Sequence, residues 1–424
     1  MRLAQLEVSA SPAIPGYVRT TVILALDRTP QPLTYWIEFP EEHRDEISQT
    51  ADPWAVLMLP IAVMLGEDIH LDLPVDQLLF ENLTGLQRIW TSWHPDLHQV
   101  GIDAPRCGPV ADSSDRRGRP KRSAAFFSGG VDSLFTLLRH NDVPLGQGTR
   151  AVDDLLCIAG FNTPPRSTDG MCRRLGPMAE RFHKHFFPIV TNLRYSPQPI
   201  DTPYSNSLHM IYLAHGAVLG TMAHLFAPRF DEVVIPGSDD YTNLEPYGSH
   251  PLTDPLFSSR RLRLIQDGAT WMRVERTAAI AEANAPLDGL HVCWQDWELG
   301  NCSKCLKCLY TMATLDVLGA SYRATSFDWS GYGCRRLSTM WIRGETERVE
   351  FDRLVDVARR RGRPDVADAV LKSIVGSRRR EKLLRLVNSN LVTRKFWKSI
   401  RLRQRRSVAP VDGAGDSGRT TGES

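Results

Sequence analysis

Two hydrophobic rhythms divide the chain. Near the amino terminus, "VRTTVILAL" (18–26) and "LTYWIEF" (33–39) alternate in apolar content along most of their length, the period of a half-buried strand. "PWAVLMLPIAVML" (53–65) and "LLFENLTGLQRIWTSW" (78–93) follow, with the length and spacing of helices. Together they predict an α+β unit over residues 1–110. A polar stretch rich in charge, Gly and Pro follows and reads as a linker at 111–122.

From Ser123 the pattern changes. Short apolar runs, "AAFF" (124–127), "DLLCIAGF" (154–161), "FFPIVTNL" (186–193), "EVVIPGS" (232–238) and "LHVCW" (290–294), are mostly separated by helical stretches. Such alternation predicts an α/β fold for 123–325, a parallel sheet sandwiched between helices. Ligands of such sheets bind beyond the carboxyl ends of the strands. The positions of interest are therefore Ser128–Ser133, Gly160–Asn162, Asn192–Tyr195 and Gly237–Asp240. Residues 326–406 read as a helical extension, and 407–424 lack the apolar content for a core and are expected to be disordered.

Charge sharpens this division. The net charge is +2, yet Lys372–Arg406 alone holds thirteen Lys or Arg against one Glu, leaving the rest of the chain at 2 − 12 = −10. A basic tail that also carries Phe396, Trp397 and Ile400 suits RNA, an acidic protein or an anionic membrane surface. The most apolar long stretch, Leu208–Ala227, contains His209, His215 and His224 and reads as a buried helix, with the histidines in the core or on the helix surface. No transmembrane segment or secretory signal is read, so the expected compartment is the cytoplasm.

The stretch "AAFFSGGVDSLFTLL" (124–138) joins an apolar strand to an apolar helix through two glycines. Glycines allow a tight turn and leave no Cβ between main-chain amides and a ligand, and the first N–H groups of a helix attract anions. A phosphate is the expected occupant. Ser128 and Ser133 supply hydroxyls, and Asp132 either caps the turn or helps to hold Mg²⁺. Arg273 and Arg276, one helical turn apart, are the candidate cations, although a surface ion-paired arrangement fits them equally. The loop at Ile235–Ser259 offers Gly237, Ser238, Asp239 and Asp240 to substrate or metal, and His250 and Asp254 as acid or base.

Four of the eight cysteines fall at Cys293, Cys302, Cys305 and Cys308. A C-x2-C-x2-C run with one further cysteine upstream has the donor set of a closed structural Zn²⁺ site. An iron–sulfur cluster is the competing occupant, although the cysteine three residues beyond the run, found in bacterial ferredoxins, is missing. Cys107, Cys157, Cys172 and Cys334 are expected to be single buried or incidental thiols.

The string S-G-G-x-D-S after a strand resembles the PP-loop of the ATP pyrophosphatases, and no Gly-Lys-Ser/Thr of a Walker loop follows it. Combined with the cysteine pattern it is similar to the 7-cyano-7-deazaguanine synthases, over about Ser123–Gly319. That resemblance implies a Rossmann-like fold of the adenine nucleotide alpha hydrolase type, and an enzyme that uses ATP to adenylate a carboxylate or carbonyl oxygen, releasing pyrophosphate. The nucleotide-binding residues would be Ser128, Gly129, Gly130, Val131, Asp132, Ser133, Gly160, Phe161, Gly237 and Ser238. Asp132, Asp239, Arg273 and Arg276 would be catalytic, with ATP, Mg²⁺ and a structural Zn²⁺ as cofactors. The chain departs from the family where "GFNTPPR" replaces a Tyr-Gly-Gln-Arg-His-like segment and where Arg276 stands for a lysine, so the small-molecule substrate is left open. A tRNA-modifying or amide-forming ligase and a non-catalytic ATP sensor are the alternatives, and a homo-oligomer is expected.

Overall fold

A computed structural model describes residues 1–108, 122–141, 151–161, 164–193, 213–293 and 300–389. Its centre is one ten-stranded sheet. In chain order the strands of the chain are β1 (Arg2–Ala10), β2 (Tyr17–Ala25), β3 (Leu33–Pro40), β4 (Ile69–His70), β5 (Val75–Asp76), β6 (Ile102–Asp103), β7 (Arg106–Cys107), β8 (Arg122–Phe126), β9 (Asp154–Ala159), β10 (His185–Thr191), β11 (Phe230–Pro236) and β12 (Arg263–Asp267). The large sheet runs β12-β11-β8-β9-β10-β3-β2-β1-β4-β6, and β5 pairs with β7 apart from it.

The strands β8 to β12 are mutually parallel. Numbered by their own sequence, their spatial order is 3-2-1-4-5, as in doubly wound folds. β8 is buried at all but its first residue, as expected for a strand covered on both faces. β2 shows strict alternation of buried and half-buried residues, matching the sequence expectation for its apolar period. The expected strand at 290–294 does not form: Leu290–Cys293 is irregular and Trp294 lies outside the described residues. β12, which the apolar pattern did not single out, takes the sheet's outer edge instead.

The first hundred residues do not sit apart from this sheet. β3 pairs antiparallel to β10, with Val190 opposite Glu38 and Thr191 opposite Ile37, so the β1-β2-β3 meander extends the parallel half without a break. The expected linker falls mostly on residues 109–121, outside the described residues.

Helices cover both faces. One face carries α1 (Asp52–Leu65), α2 (Gln77–Trp93) and α5 (His215–Leu225) in a single apolar cluster with the antiparallel strands. Almost every residue of α1 is buried, which explains its near-continuous apolar sequence. α2 begins where the Asp76 side chain accepts hydrogen bonds from the amides of Leu78 and Leu79, at 2.9 and 3.1 Å. The expected long helix at 208–227 is described from Leu213 onward; His209 lies outside the described residues, and His224 is fully buried. The opposite face carries α3 (Val131–His140), α4 (Thr168–Arg181), α6 (Arg273–Glu282) and α7 (Leu306–Val317). After a short turn of helix α8 (Cys334–Leu337), α9 (Glu345–Arg360) and α10 (Pro364–Ser389) pack on α6 and α7 in a third cluster. The basic tail beyond Ser389 and the segment 407–424 lie outside the described residues. No helix among the described residues is long and apolar enough to cross a membrane.

Candidate functional site

The loop Phe127–Gly130 leaves the carboxyl end of β8 and enters α3. β8 is flanked by β9 on one side and β11 on the other, the point where the order of parallel strands reverses, which is where ligands of such sheets bind. Gly129 adopts φ +66°, and a Cβ there would stand 2.7 Å from Leu175 Cδ2, so both conformation and packing call for glycine. The loop is pinned from below: Phe127 N donates to Leu156 O at 2.9 Å, and His291 N donates to Gly129 O at 2.9 Å.

Its upper amides are weakly engaged. Ser128 N reaches Ser133 Oγ at 3.3 Å and Gly130 N reaches Ser128 Oγ at 3.4 Å. The N–H groups of Gly129, Val131, Asp132 and Ser133 have no acceptor among the described residues. Ser128 is exposed and Gly130 half-buried. Asp132 in the first turn and Arg139 and His140 in the last complement the helix dipole. Val131 faces the core and contributes only its main chain.

Charged groups from four elements converge beside this loop. Arg276 of α6 is fully buried and its Nη1 lies 2.6 Å from Asp132 Oδ1. The same guanidinium donates to the carbonyls of Gly237 (2.7 Å), Ser238 (3.0 Å), Asp239 (3.3 Å) and Trp271 (3.0 Å). It thereby clamps the loop after β11 to the start of α3. The expectation that Arg273 and Arg276 both face a ligand is thus modified by geometry, because nearly all of the Arg276 donors are spent inside the protein. Arg273 is less committed: its Nη2 lies 3.4 Å from Asp132 Oδ2 and its side chain retains some exposure.

Burial pushes the Asp132 carboxyl up, and the Arg273 and Arg276 charges more than cancel this, holding it below the usual carboxylate range. For Asp239, burial and then the Asp132 charge win, and its carboxyl is pushed up to about 6. Lys307, in the first turn of α7, is lowered to about 8 by burial and then by the Arg273 charge, with Asp132 opposing. Tyr310 donates to Glu350 Oε2 at 3.2 Å, bringing α9 into the same cluster. Asp240, expected to meet substrate, pairs instead with Arg353 of α9, whose Nη2 also reaches Thr242 Oγ1 at 2.6 Å. Lys307, Glu350 and Arg353 were not singled out in the sequence. The signal for Lys307 was its place inside "CLKC", between the last two cysteines of the metal-binding pattern; nothing in the sequence joined α9 to the site.

Gly160 and Phe161 follow β9, and Gly237 and Ser238 follow β11, so these four stand at the strand ends on either side of the loop. Gly160 has φ +90°, and a Cβ would fall 1.7 Å from Thr191 O, a close approach between neighbouring strand ends. Phe161 is buried with its ring edge-on to His215, centroids 4.6 Å apart. Gly237 N donates to Asp267 O at 2.8 Å. Asn192 donates to Thr34 O at 3.2 Å and accepts from Trp36 N at 2.8 Å, so it seals the β10–β3 seam. Asn162 and Arg194 lie outside the described residues.

His250 and Asp254 are not brought to this cluster. They pack with α2 and α5, where His250 lies against Trp93 with ring centroids 5.0 Å apart and Asp254 accepts from Ser249 Oγ at 2.7 Å. Burial pushes the Asp254 carboxyl up to about 7, against the pull of its hydrogen bonds.

The four expected cysteines meet. Their sulfurs all lie within 4.8 Å of one another, with Cys293–Cys305 and Cys302–Cys308 at 3.9 Å each. A tetrahedral ion with metal–sulfur bonds of about 2.3 Å needs sulfurs roughly 3.8 Å apart, so the cage fits a metal ion such as zinc. Cys302 Sγ accepts from the amides of Cys305 (3.2 Å) and Lys304 (3.4 Å), a turn made possible by Ser303 at φ +55°. The hydrogen bonds from Cys308 and its amide lower the Cys305 thiol to about 5, favouring the thiolate a metal needs. Asn301 ties the two halves of the cage, accepting from Val292 N at 2.9 Å and donating to Leu290 O at 2.8 Å. Cys107, Cys157, Cys172 and Cys334 are single free thiols, and of these Cys157 alone is fully buried.

The cage and the loop share a segment. His291, two residues before Cys293, holds Gly129 from below, and burial followed by the Arg174 charge lowers its ring to about 4, so it is neutral. Comparison of the chain with protein-family models, with curated proteins and with solved structures finds no match in any of the three.

Proposed function

We propose that this chain is an ATP-dependent enzyme of the adenylating kind, which transfers AMP to a carboxylate or carbonyl oxygen of its substrate and releases pyrophosphate. The observation that carries the reading is the loop itself: a glycine turn at the sheet's switch point where the amides of Gly129, Val131, Asp132 and Ser133 lack acceptors among the described residues, with Arg273 and Lys307 beside it. The resemblance to PP-loop ATP pyrophosphatases, and within them to 7-cyano-7-deazaguanine synthases, supplies the reaction class.

On this reading the amides from Gly129 to Ser133 hold the β- and γ-phosphates, and the exposed Ser128 donates a hydroxyl hydrogen bond, while Ser133 Oγ donates to Gly130 O at 3.2 Å and holds the turn. Gly160, Phe161, Gly237 and Ser238 form the crevice walls for the nucleotide. Arg273 and Lys307 stabilise the charge that grows on departing pyrophosphate, in a site already organised before the reaction. Arg276 is a positioning residue that fixes Asp132 and the 237–239 carbonyls. Asp239 forms no ion pair among the described residues, so its carboxylate is the one available to Mg²⁺ carried in with ATP. Mg²⁺ would supply neutralisation of phosphate charge. Four thiolates of the cage would hold Zn²⁺ as a structural ion, fastening the segment that supports Gly129.

The test is to incubate the full chain with ATP, Mg²⁺ and candidate carboxylates, beginning with carboxylated 7-deazapurines and ammonia, and to quantify nucleotide products. AMP and pyrophosphate in equal amounts are expected. ADP with phosphate would overturn the reading, as would ATP binding without turnover across the panel.

A further inference from the structure

At the amino ends of the parallel strands, away from the loop, three side chains from distant stretches converge. β3 runs antiparallel to β10, so the 3-10 turn Glu41–Glu46 that follows β3 arrives beside His185, the first residue of β10. His185 is in register with Asp154, the first residue of β9. Glu42 Oε1 lies 3.3 Å from His43 Nε2 and 3.7 Å from His185 Nε2, and the three candidate donor atoms are all within 4.8 Å of one another.

We propose that Glu42, His43 and His185 bind a divalent transition-metal ion of the zinc class, at a site separate from the cysteine cage. The argument rests on which ring nitrogens are already engaged. His43 Nδ1 hydrogen-bonds Glu46 Oε2 at 2.8 Å, and His185 Nδ1 lies 2.8 Å from Asp154 Oδ1. His43 Nδ1 is thus engaged by Glu46 and His185 Nδ1 stands against Asp154, so in each ring Nε2 is the nitrogen left to a metal. Both Nε2 atoms stand near the Glu42 carboxylate, at 3.3 and 3.7 Å from its Oε1. The His43 Nε2 is buried and makes no hydrogen bond, in a side chain only 4% exposed. Protons or a metal ion can occupy the space between these three atoms, and a metal ion is the occupant that uses all three at once. With metal–nitrogen and metal–oxygen bonds of about 2.0–2.1 Å, tetrahedral donors stand roughly 3.4 Å apart, close to the separations found.

The surroundings are those of a supported metal site. A carboxylate stands 2.8 Å from the far nitrogen of each imidazole, hydrogen-bonded in the case of His43, the placement that orients metal-binding histidines. Both carboxylates are themselves fixed by Arg229, at 2.8 Å to Glu46 and 2.7 Å to Asp154. The His43 ring stacks on Phe187 at 4.1 Å with planes 16° apart, which sets its tilt. Glu42 and His185 are 68% and 34% exposed, so a fourth coordination position opens to solvent for water or an external ligand. The site joins the β3 end of the meander to the parallel half of the sheet.

The test uses the full-length protein stripped of metal and titrated with Zn²⁺ alone against a chromophoric chelator. A second equivalent of zinc beyond that held by the cysteines is expected. Glu42→Gln, at an exposed position, and His185→Gln should weaken that second equivalent at least about tenfold, and Glu46→Gln by about 10–100-fold. The cysteine-held equivalent should be unchanged in all three variants, which also reports that they are folded. Cys302→Ser should weaken the first equivalent and spare the second. Uptake of the cysteine-held equivalent only would overturn the proposal and assign two shared protons to the cluster instead of a metal; so would a second equivalent indifferent to Glu42→Gln and His185→Gln.

Discussion

Arg276 and Arg273 lie one turn apart on the same helix and meet the same carboxylate, yet their burial gives them different work. Arg276 is fully enclosed, and its removal leaves Asp132 and several carbonyls without their donor. Arg276→Met is expected to lower the unfolding free energy by about 3–5 kcal/mol, the cost of stranding a buried partner, as read by denaturant unfolding. Arg273→Gln should change stability by about 1 kcal/mol or less, because its contact is longer and its side chain partly exposed. Its effect should fall on nucleotide binding instead. Asp254 gives a prediction of the opposite electrostatic sense. Its folded carboxyl is raised to about 7, chiefly by burial, so between about pH 4 and 7 the folded chain keeps a proton that the unfolded chain has released. That contribution to stability is present at low pH and lost as pH rises through 7, with a slope of up to about 1.4 kcal/mol per pH unit. Asp254→Asn should remove the slope, so that the variant gains on the parent from pH 5 to pH 8 when both are unfolded in denaturant.

At the scale of single elements, the loop and the cysteine cage carry the account. Both were legible because their chemistry is local in sequence: a glycine pair between strand and helix, and C-x2-C-x2-C within one tight turn. Cys293 was legible too, although the strand expected around it did not form, because the cage needs a sulfur there and not a sheet hydrogen bond. What stayed hidden was made by tertiary contact. Glu350 and Arg353 enter from α9, far along the chain, and no local period announces that a surface-looking helix will ion-pair with Asp240. Asp240 itself misled, since an acidic residue at a strand end looks the same whether it awaits a ligand or an arginine. The shared segment at His291 makes a further expectation. Removing the proposed thiolate-bound zinc with a mercurial should speed amide hydrogen exchange in residues 300–317 and at the Gly129 loop, while α1 and β1–β3 stay protected. Equal deprotection throughout would mean that the cage does not act locally.

The whole molecule is organised by a single sheet with two halves of different logic. The parallel half was readable from its run of apolar segments, and the meander from its alternation. Their union was not, because the pairing of β3 with β10 depends on an edge that no single strand encodes. Asn192 marks the join through its bonds to Thr34 and Trp36. A chain lacking residues 1–108 would expose β10 as a bare, apolar edge, and it is expected to aggregate where the full protein stays dispersed, as seen by sedimentation. The same continuity holds the switch-point loop, flanked by the ends of β9 and β11, in a fixed frame on which the proposed adenylation depends. The most direct test is a structure of the chain with Mg²⁺ and an ATP analogue that cannot be cleaved between its α- and β-phosphates. The account predicts the β- and γ-phosphates within hydrogen-bond reach of the amides from Gly129 to Ser133, with Arg273 alongside. Nucleotide bound elsewhere, or a loop whose amides remain empty at saturating analogue, would contradict it.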